Sequence, residues 1–266
     1  MTNATFDALL QAIGAAGTRI IQLGAAEGAA GNISVFVRQL TPDARFRAQE
    51  TLALPVATPA LANGWIIVTG RGQRLGEIAA TPESVLCLLQ IQPGGTHAVL
   101  HAGATRGPTT ELNSHLAIHD DHVARHGHAI HAVVHAQPLR LTYLSHIARY
   151  RDSDTWSRRL LRWQPETIIE FPEGIGLLPF EVPGSAEQMR VTTTALRSYR
   201  AAVWQKHGIV SRAESVGKAA DLVEYAEAAA QYEYLNLVAG EPSTGLSDDE
   251  LRRLCQELGV AQSLFS

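Results

Sequence analysis

Short apolar runs with a two-residue period alternate with longer apolar segments of helical period along this whole chain. Ile33, Val35 and Val37 alternate as they would on a strand, whereas residues 5–23 carry apolar side chains at helical spacing. No Ser/Pro-rich linker, low-complexity segment or repeat of about 20–50 residues interrupts the alternation. We therefore expect one α/β domain of three layers that spans residues 1–266.

The remaining patterns predict where the other elements lie. Predicted strands are a segment around Leu52, Leu54 and Val56, the run GWIIVTGRG at 64–72, and the segments 97–102, 129–136 and 166–171, followed by a strand pair broken at His207-Gly208. Predicted helices are Thr81-Pro82 to about Leu89, then 110–126, 139–149, 154–162, Ser185 to about Tyr199 opening on a Ser185/Gln188 capping box, a long helix through Leu222 that ends at Gly240, and a last helix with a Ser247/Glu250 capping box.

Composition excludes several function classes. The net charge of −4 and the lack of a long basic run argue against nucleic acid as the main partner. There is no run of about 18 apolar residues, and the N-terminus lacks the pattern of a signal peptide, so we expect no membrane span and a cytoplasmic setting. Cys87 and Cys255 stand far apart in apolar, helix-like patterns, which predicts buried thiols. The sequence also lacks nucleotide-binding glycine signatures.

Ten of the eleven histidines lie between His97 and His146. In the run AIHAVVHAQP, His131, His135 and Gln137 occupy alternate positions and therefore project from one face of a strand. His135 comes just before a proline turn, where open α/β sheets place ligands. In the motif TTEL, Glu111 opens a helix, where its carboxylate could bind a divalent metal or merely complement the helix dipole.

Two further features carry histidine or positive charge. His115, His119, His122 and His126 follow one another on a single helix face, but the glutamate of a zincin helix is replaced by Leu116, so we interpret this face as polar and structural. Two more sites suit ligand chemistry. One is His207 beside Gly208 in a strand break. The other is the turn at Gly70, Arg71 and Gly72, whose backbone N–H groups could hold a phosphate with help from Arg71 and Arg74.

Taken together, these motifs resemble the class II aldolase/adducin family. The similar segments run nearly from end to end: AAGNIS, GWIIVTGRG, GPTTEL, AVVHAQP, PETIIEFPEGIGLLPF, VPG and VWQKHG. The EFPEGIGLLPF block with its preceding glutamate is most similar to the branch that acts on L-rhamnulose 1-phosphate. The resemblance implies a central, mostly antiparallel sheet flanked by helices, and a metal-dependent cleavage of a ketose 1-phosphate to dihydroxyacetone phosphate and an aldehyde.

The resemblance also implies a role for individual residues. A divalent cation, first of all Zn²⁺, would be bound by His135, by His207 and at the position of Gln137. Glu111 would coordinate the empty metal or move the carbon-bound proton, and Glu166 would exchange a proton with the aldehyde-derived oxygen. The phosphate and substrate would contact the following residues: Asn32, Gly70, Arg71, Gly72 and Thr110.

The sequence departs from the family pattern at three places that bear on ligands. The expected His-x-His motif reads His135-Ala136-Gln137, and a carboxamide oxygen is a poorer zinc ligand than an imidazole, which would favour a harder ion such as Mn²⁺. Ala29 stands where the rhamnulose branch has an asparagine, which bears on the identity of the sugar. Arg71 stands where a small hydroxyl residue is common, and it suits a phosphate dianion.

Other activities of the same family fit the motifs. A pentulose-phosphate 4-epimerase would use the same metal and bond cleavage but recombine the fragments. A non-catalytic adducin-like binding protein is the second alternative, and a dehydratase or decarboxylase acting on unphosphorylated substrates is the third. Members of the family are typically homotetramers of fourfold symmetry with sites between subunits, so the resemblance implies that state here as well.

Overall fold

The computed structural model describes residues 6–105, 107–150 and 152–265; the first residue of the predicted first helix and the start of the segment compared with signal peptides lie outside them. Nine strands are present in the part of the chain that is described. They are β1 (Asn32–Val37), β2 (Arg47–Ala53), β3 (Trp65–Thr69), β4 (Leu86–Ile91), β5 (His97–Ala102), β6 (Ile130–Ala136), β7 (Gly176–Leu178), β8 (Ala201–Trp204) and β9 (Gly208–Ala213).

The helices lie between these strands and after the last of them. They are α1 (Phe6–Gln22), α2 (Pro82–Val85), α3 (Leu112–His126), α4 (Leu139–Leu144), α5 (Ser153–Leu160), α6 (Pro165–Glu170), α7 (Ala186–Ala195), α8 (Val216–Val238) and α9 (Asp248–Leu258), with short 3₁₀ turns at Pro59–Leu61 and Leu75–Glu77. None of the described helices combines the length and the apolar content needed to cross a membrane.

All nine strands form a single sheet with the order β2-β5-β4-β3-β1-β6-β9-β8-β7. Every neighbouring pair is antiparallel except β7 and β8. The predicted class, a mostly antiparallel sheet flanked by helices, is confirmed. Strands β1 and β6 are neighbours in the middle of this order, so the residues at their ends face each other across the ladder.

Apolar side chains cover both faces of the sheet, which produces the three layers. On one face, α1 and α8 pack over side chains such as Val35 and Val134. On the other face, α3 and α7 pack over Phe36, Val133 and their neighbours. The central strand β1 is therefore buried at every position. Its alternate side chains pack into the two cores on opposite faces of the sheet, so neither face of the strand is exposed to solvent.

Two predictions of local structure were wrong. Residues 166–171, ETIIEF, were expected to form a strand because of their β-branched side chains, but they lie in and after α6. Pro165 occupies the first turn of that helix, where its fixed φ favours helix and its missing N–H costs nothing. The helix predicted from Thr81 to Leu89 ends at Val85, because the apolar run that follows pairs with both β3 and β5. Cys87 consequently lies in a strand, although it is buried as expected.

Other boundaries agree with the patterns or shift by a few residues. The Ser247/Glu250 capping box is confirmed in both directions. Ser185 accepts the hydrogen bond expected from the Gln188 backbone, but the Gln188 side chain turns away to Gly184. The helix predicted over 139–149 ends at Leu144. The segment after Phe171, whose glycines and prolines favour turns, contains the short strand β7.

Candidate active site

The neighbouring strands β1 and β6 bring the first two site residues together. Their antiparallel register sets Asn32, at the start of β1, opposite His135, near the end of β6. The chain leaves β6 through Gln137 and Pro138, and the Gln137 N–H donates to the Ala25 carbonyl at 2.7 Å. Proline has no N–H to extend the ladder, so the strand ends there and its last side chains open into a cleft.

His135 is held in one tautomer by the adjacent strand. Its Nδ1 lies 3.0 Å from the carbonyl oxygen of Ile209 in β9, and because a carbonyl can only accept, Nδ1 carries the proton and donates. The other ring nitrogen, Nε2, is then free of a proton. A backbone carbonyl that orients a ligating histidine in this way is the usual arrangement in metal sites.

His207 lies in the tight turn between β8 and β9. Lys206, just before it, adopts a left-handed backbone conformation with φ of 64°. Gly208, just after it, packs so close to β6 that an added Cβ would overlap the Ala136 carbonyl oxygen and lie 3.1 Å from Cε1 of His135. Only glycine fits there, and this close approach brings the two imidazole rings to a centroid separation of 4.8 Å.

Glu111 enters the cleft from the start of α3. It occupies the N-cap position, but its side chain makes no capping hydrogen bond and turns into the cleft instead. The amide of Asn32 donates to Glu111 Oε2 at 2.7 Å. The other carboxylate oxygen, Oε1, is buried and has no hydrogen-bond partner among the described residues. A buried carboxylate oxygen without a partner is costly and calls for a cation or a donor from a ligand.

The three side chains fit a divalent cation. One ligand atom each from Glu111, His135 and His207 lie within 4.8 Å of one another, the one such group found among the described residues. His135 Nε2 is 3.7 Å from Glu111 Oε2, and His207 Nε2 is 3.8 Å from Oε1. These distances are too long for hydrogen bonds but suit donors that share an ion, and two imidazoles with a carboxylate are a donor set that zinc accepts.

The electrostatics of this group favour an ionised Glu111 carboxylate and a neutral His207 ring. Burial alone would raise the pKa of Glu111, but His135, the Asn32 amide and His207 together hold the pKa below its ordinary value. Burial, with a contribution from His135, lowers the pKa of His207 to about 4. A neutral imidazole and an ionised carboxylate are the forms that bind a metal, so at neutral pH Glu111 and His207 need release no proton when a cation binds.

The two glutamines near the histidines differ in their contacts. Gln137 lines the cleft together with the three predicted ligands, and its side chain is half-buried. Gln188, which the sequence analysis did not single out for the site, lies behind His207: its Oε1 accepts from the Gly184 N–H, and its Nε2 is 3.4 Å from His207 Nδ1. Its position in a capping pattern concealed this contact.

The predicted phosphate-binding residues line the same cleft, whose volume is about 190 Å³. It is lined by Asn32, Gly70, Arg71, Gly72, Thr110, Glu111, His135, Gln137 and His207, together with Ala29, Pro183 and their neighbours. The expectation of free backbone N–H groups in the glycine turn was wrong for two of them, because Gly70 N donates to Val85 and Arg71 N donates to Gly107. The exposed Arg71 side chain forms no ion pair with any described residue, and it supplies the positive charge of the turn.

Glu166 lies elsewhere in this chain. It is in the first turn of α6, its side chain is exposed, and it is not among the residues that line the cleft. The neighbouring Glu170 is engaged by Lys218, whose ammonium group lies 2.6 Å from the carboxylate. One subunit therefore does not bring Glu166 to the cluster of Glu111, His135 and His207.

The histidines of α3 are more than a polar surface. His115 and His119 are fully buried and hydrogen-bonded to Ser34, while His122 is half-buried and His126 is exposed. The interpretation of this face as polar with structural roles agrees with the structure: its N-terminal half packs inward, and its C-terminal end lies at the surface. The spacing of these histidines along the helix could not show which of them are buried, because their partner Ser34 lies in a strand far away in the sequence.

Comparison with known proteins identifies relatives over most of the chain. The sequence profile described as the class II aldolase and adducin N-terminal domain matches residues 11–234. The rhamnulose-1-phosphate aldolase of Yersinia pestis (strain Pestoides F) is 28% identical over 236 residues, which are 86% of each chain. The same name and identity are found for the enzyme of Yersinia pseudotuberculosis serotype O:3.

Solved structures show the same architecture. A sugar-phosphate aldolase from Thermotoga maritima superposes with a TM-score of 0.77 at 28% identity, covering 89% of this chain and 98% of the other. An L-fuculose-1-phosphate aldolase from Thermus thermophilus gives a TM-score of 0.59 at 20% identity, covering 90% of this chain and 100% of the other. The second likeness, at its lower identity, bears on the fold alone.

Proposed function

The chain belongs to the class II aldolase and adducin family, and from that premise we propose that it cleaves L-rhamnulose 1-phosphate to dihydroxyacetone phosphate and L-lactaldehyde. It is a metal-dependent aldolase, a lyase of the sugar-phosphate class. The observation that supports an active enzyme over a non-catalytic binding protein is the convergence of ligand atoms from Glu111, His135 and His207 within 4.8 Å. The choice of sugar rests on the curated relatives of that name.

We infer that the resident cation is Zn²⁺, with Mn²⁺ as the alternative because Gln137 stands where a third imidazole is expected. Two imidazole nitrogens and a carboxylate favour zinc, and an amide oxygen shifts the preference towards a harder ion. The cation would act as a Lewis acid on the ketose carbonyl and lower the cost of the negative charge that develops on its oxygen.

The proton transfers are assigned to two glutamates. In the direction of synthesis, Glu111 takes a proton from the carbon of dihydroxyacetone phosphate next to the ketone, and the electron pair of that C–H bond becomes available for the new C–C bond. As that bond forms, the aldehyde oxygen receives a proton from Glu166. Cleavage runs through the same transfers in reverse. Burial raises the pKa of Glu111, but His135 and the Asn32 amide lower it by more, so the net pKa is below its ordinary value. The carboxylate therefore starts ionised, as a base must.

The role of Glu166 requires a second subunit. Its exposed carboxylate lies outside the cleft of its own chain, so a neighbouring copy must bring it to the aldehyde half of the substrate. The homotetramer implied by the family resemblance, with sites between subunits, would meet this requirement. We therefore propose that the active unit is a homotetramer and that each site combines Glu111 of one chain with Glu166 of the next.

The phosphate is assigned to the end of the cleft formed by the glycine turn. The Arg71 guanidinium, free of a carboxylate partner among the described residues, would bind the dianion in a charge-assisted hydrogen bond, with Thr110 and Asn32 as further donors. Arg71 and the metal cluster line one cleft, so a short ketose 1-phosphate can contact both. We also assign residues 1–266 to one domain and the protein to the cytoplasm.

A panel of ketose phosphates tests the proposal. The zinc-loaded protein is incubated with L-rhamnulose 1-phosphate or L-fuculose 1-phosphate, and free dihydroxyacetone phosphate is measured with an NADH-linked dehydrogenase. We expect the highest kcat/KM with L-rhamnulose 1-phosphate. Glu111→Gln protein, prepared identically, controls for contaminating aldolase.

The products also separate the alternatives. Conversion of L-ribulose 5-phosphate to its C4 epimer without release of fragments would identify an epimerase. Equal activity on unphosphorylated substrates would favour a dehydratase or decarboxylase. Binding of zinc with no turnover of any sugar would leave the adducin-like binding protein as the better assignment.

A further inference from the structure

A line of buried polar side chains runs from the active site between the sheet and α3. It begins at Glu111, whose Oε2 accepts from the Asn32 amide at 2.7 Å. Asn32 Oδ1 is in turn hydrogen-bonded to His115 Nε2, and His115 Nδ1 lies 2.6 Å from the hydroxyl of Ser34. Asn32 and Ser34 are alternate residues of β1 and therefore share one face, over which α3 lays His115.

The line continues away from the cleft to β6. The Ser34 hydroxyl lies 2.7 Å from His119 Nε2, and His119 Nδ1 lies 2.8 Å from His131 Nδ1. His131 Nε2 is buried and has no hydrogen-bond partner among the described residues. The imidazole of His122, nearer the surface, stacks on His131 with a centroid separation of 3.9 Å. The hydrogen-bonded line therefore ends at His131.

The direction of the first bonds follows from the carboxylate. An ionised carboxylate can only accept, so the –NH₂ of Asn32 faces Glu111 and its carbonyl oxygen faces His115. His115 Nε2 must then carry a proton, and in a neutral ring Nδ1 is left without one. That bare nitrogen accepts the hydroxyl proton of Ser34, which fixes the hydroxyl rotor as well.

The remaining directions follow without a free choice. The Ser34 oxygen, having given its proton to His115, accepts from His119 Nε2–H. His119 Nδ1 is then bare and accepts from His131 Nδ1–H, which leaves the unpartnered His131 Nε2 without a proton. Burial lowers the pKa of His115 to about 4 and lowers those of His119 and His131 further, so all three rings are neutral at pH 7.

We propose that Ser34, His115, His119 and His131 are positioning residues that lock the Asn32 amide with its –NH₂ group towards Glu111. This inference rests on the proposed function for its consequence in catalysis. Every donor in the line points towards the carboxylate, so each bond polarises the next and strengthens the last one. A proton cannot readily pass through the Asn32 amide, because that would require its rare imidic acid form. The line therefore orients groups but does not conduct protons to Glu111.

Without the Ser34 hydroxyl the lock is released. His115 Nδ1 then has no donor, so the ring can move its proton to Nδ1 and turn Nε2 into an acceptor. Nε2 would attract the Asn32 –NH₂ group, and the amide would flip to aim its carbonyl oxygen at Glu111. Two oxygens would then oppose each other, the carboxylate would move, and Asn32 would also lose the N–H that it offers to the cleft.

Direct observation of the histidine tautomers tests this inference without an assay of enzyme activity. Neutron diffraction from the deuterated full-length protein, with zinc bound and after chelation, distinguishes the protonated ring nitrogens and the two ends of the amide. We expect a deuteron on Nε2 of His115 and His119 but on Nδ1 of His131, and the Asn32 nitrogen towards Glu111. A deuteron on Nδ1 of His115, or the reverse amide orientation, overturns the inference.

Variants test the consequence for the active site. Ser34→Ala should flip the Asn32 amide and lower kcat by about 10–100-fold, the usual cost of losing a supporting hydrogen bond at such a site. Ser34→Thr keeps the hydroxyl and should restore most of the turnover. Ser211→Ala is the matched control, because Ser211 is a fully buried serine of β9, the strand next to β6, and its hydroxyl donates to backbone carbonyls outside this line.

A half-reaction separates this inference from the proposed function. Exchange of solvent deuterium into dihydroxyacetone phosphate needs Glu111 but no aldehyde, so Ser34→Ala should slow exchange and cleavage by the same factor. Slower cleavage with unchanged exchange, or equal losses in Ser34→Thr and Ser34→Ala, contradicts the positioning role. If the wild-type protein neither exchanges nor cleaves, the proposed function fails, whereas the tautomers and the amide flip still decide whether the lock exists.

Discussion

His135 Nε2 lies 3.7 Å from Glu111 Oε2, while the opposite nitrogen of the same ring donates to the Ile209 carbonyl. The imidazole is thus already oriented to present a bare nitrogen beside a carboxylate. Because Glu111 Oε1 has no hydrogen-bond partner in the part of the chain that the structure describes, a cation bound here would satisfy this buried oxygen.

Loss of one imidazole should remove the metal. We expect His135→Ala to weaken zinc binding by more than about 100-fold, since even indirect partners of metal ligands contribute 10–100-fold. Zinc content after dialysis against a chelator, measured by mass spectrometry, checks this, and re-addition of zinc should restore cleavage in the wild type but not in His135→Ala. His146→Ala, at an exposed position outside the cleft, is the control. Equal zinc retention in the two variants would contradict the site.

Replacement of Gln137 by histidine should tighten zinc binding. Gln137 lines the cleft next to His135 and His207, and an imidazole there would supply the third nitrogen that zinc prefers to an amide oxygen. Competition with a fluorescent chelator measures the Kd for Zn²⁺ and Mn²⁺ in both proteins. The zinc preference over manganese should rise in Gln137→His. An unchanged ratio would mean that residue 137 does not reach the ion.

Arg71→Ala should raise KM for a phosphorylated ketose more than it lowers kcat. The lost charge-assisted hydrogen bond corresponds to about 1.5–3 kcal/mol in kcat/KM. Arg74→Ala is a matched control, because Arg74 is exposed close by but does not line the cleft. Inorganic phosphate should compete with substrate in the wild type and in Arg74→Ala but much less in Arg71→Ala. Equal KM values in both variants would remove Arg71 from phosphate binding.

Glu111→Gln and Glu166→Gln should impair different proton transfers of the reaction. Glu111→Gln should abolish both cleavage and deuterium exchange into dihydroxyacetone phosphate, whereas Glu166→Gln should lower cleavage by about 10²–10⁴-fold and spare much of the exchange. Glu170→Gln, in the same helix but paired with Lys218, should retain cleavage. Deuterium NMR beside a steady-state assay measures both reactions.

Sharing of sites between subunits has its own test. If Glu166 acts on a neighbouring chain, tetramers reassembled from a mixture of Glu111→Gln and Glu166→Gln subunits should contain some sites with both glutamates intact. Cleavage should therefore reappear on mixing and exceed the sum of the separate activities. No recovery in tetramers that mass spectrometry shows to be mixed would place Glu166 outside catalysis.

Acid should destabilise the fold through the buried rings of His115 and His119. Burial lowers the pKa of His115 from 6.5 to about 4 and that of His119 well below its ordinary value. Between the folded and unfolded values the unfolded chain binds more protons, so the free energy of unfolding falls as the pH is lowered below about 6.5, by up to about 1.4 kcal/mol per pH unit for each ring. Urea unfolding between pH 7.5 and 5 should show this slope, and it should be smaller in His115→Gln than in His146→Gln.

Much of the local structure and most members of the site could be predicted from the sequence. Strand periods, the proline after His135 and the glycine after His207 act over a few residues, and each correctly marked a strand end or a tight turn. The segment 166–171 could not be assigned in this way. Its β-branched residues favour a strand, and the preceding Pro165 favours a helix, so local preferences conflict and packing decided between them.

The sequence by itself determined which residue types meet at the strand ends, because the two-residue period and the turn residues fix which side chains emerge there. Only the tertiary structure decided their partners. The bond of Asn32 to Glu111, the burial of His115 and His119 behind Ser34, and the distance of Glu166 from the cleft depend on which strands are neighbours and how α3 lies across them. Hydrogen bonds between residues far apart in the chain depend on strand order and helix packing, which the local periodicity of the sequence does not specify.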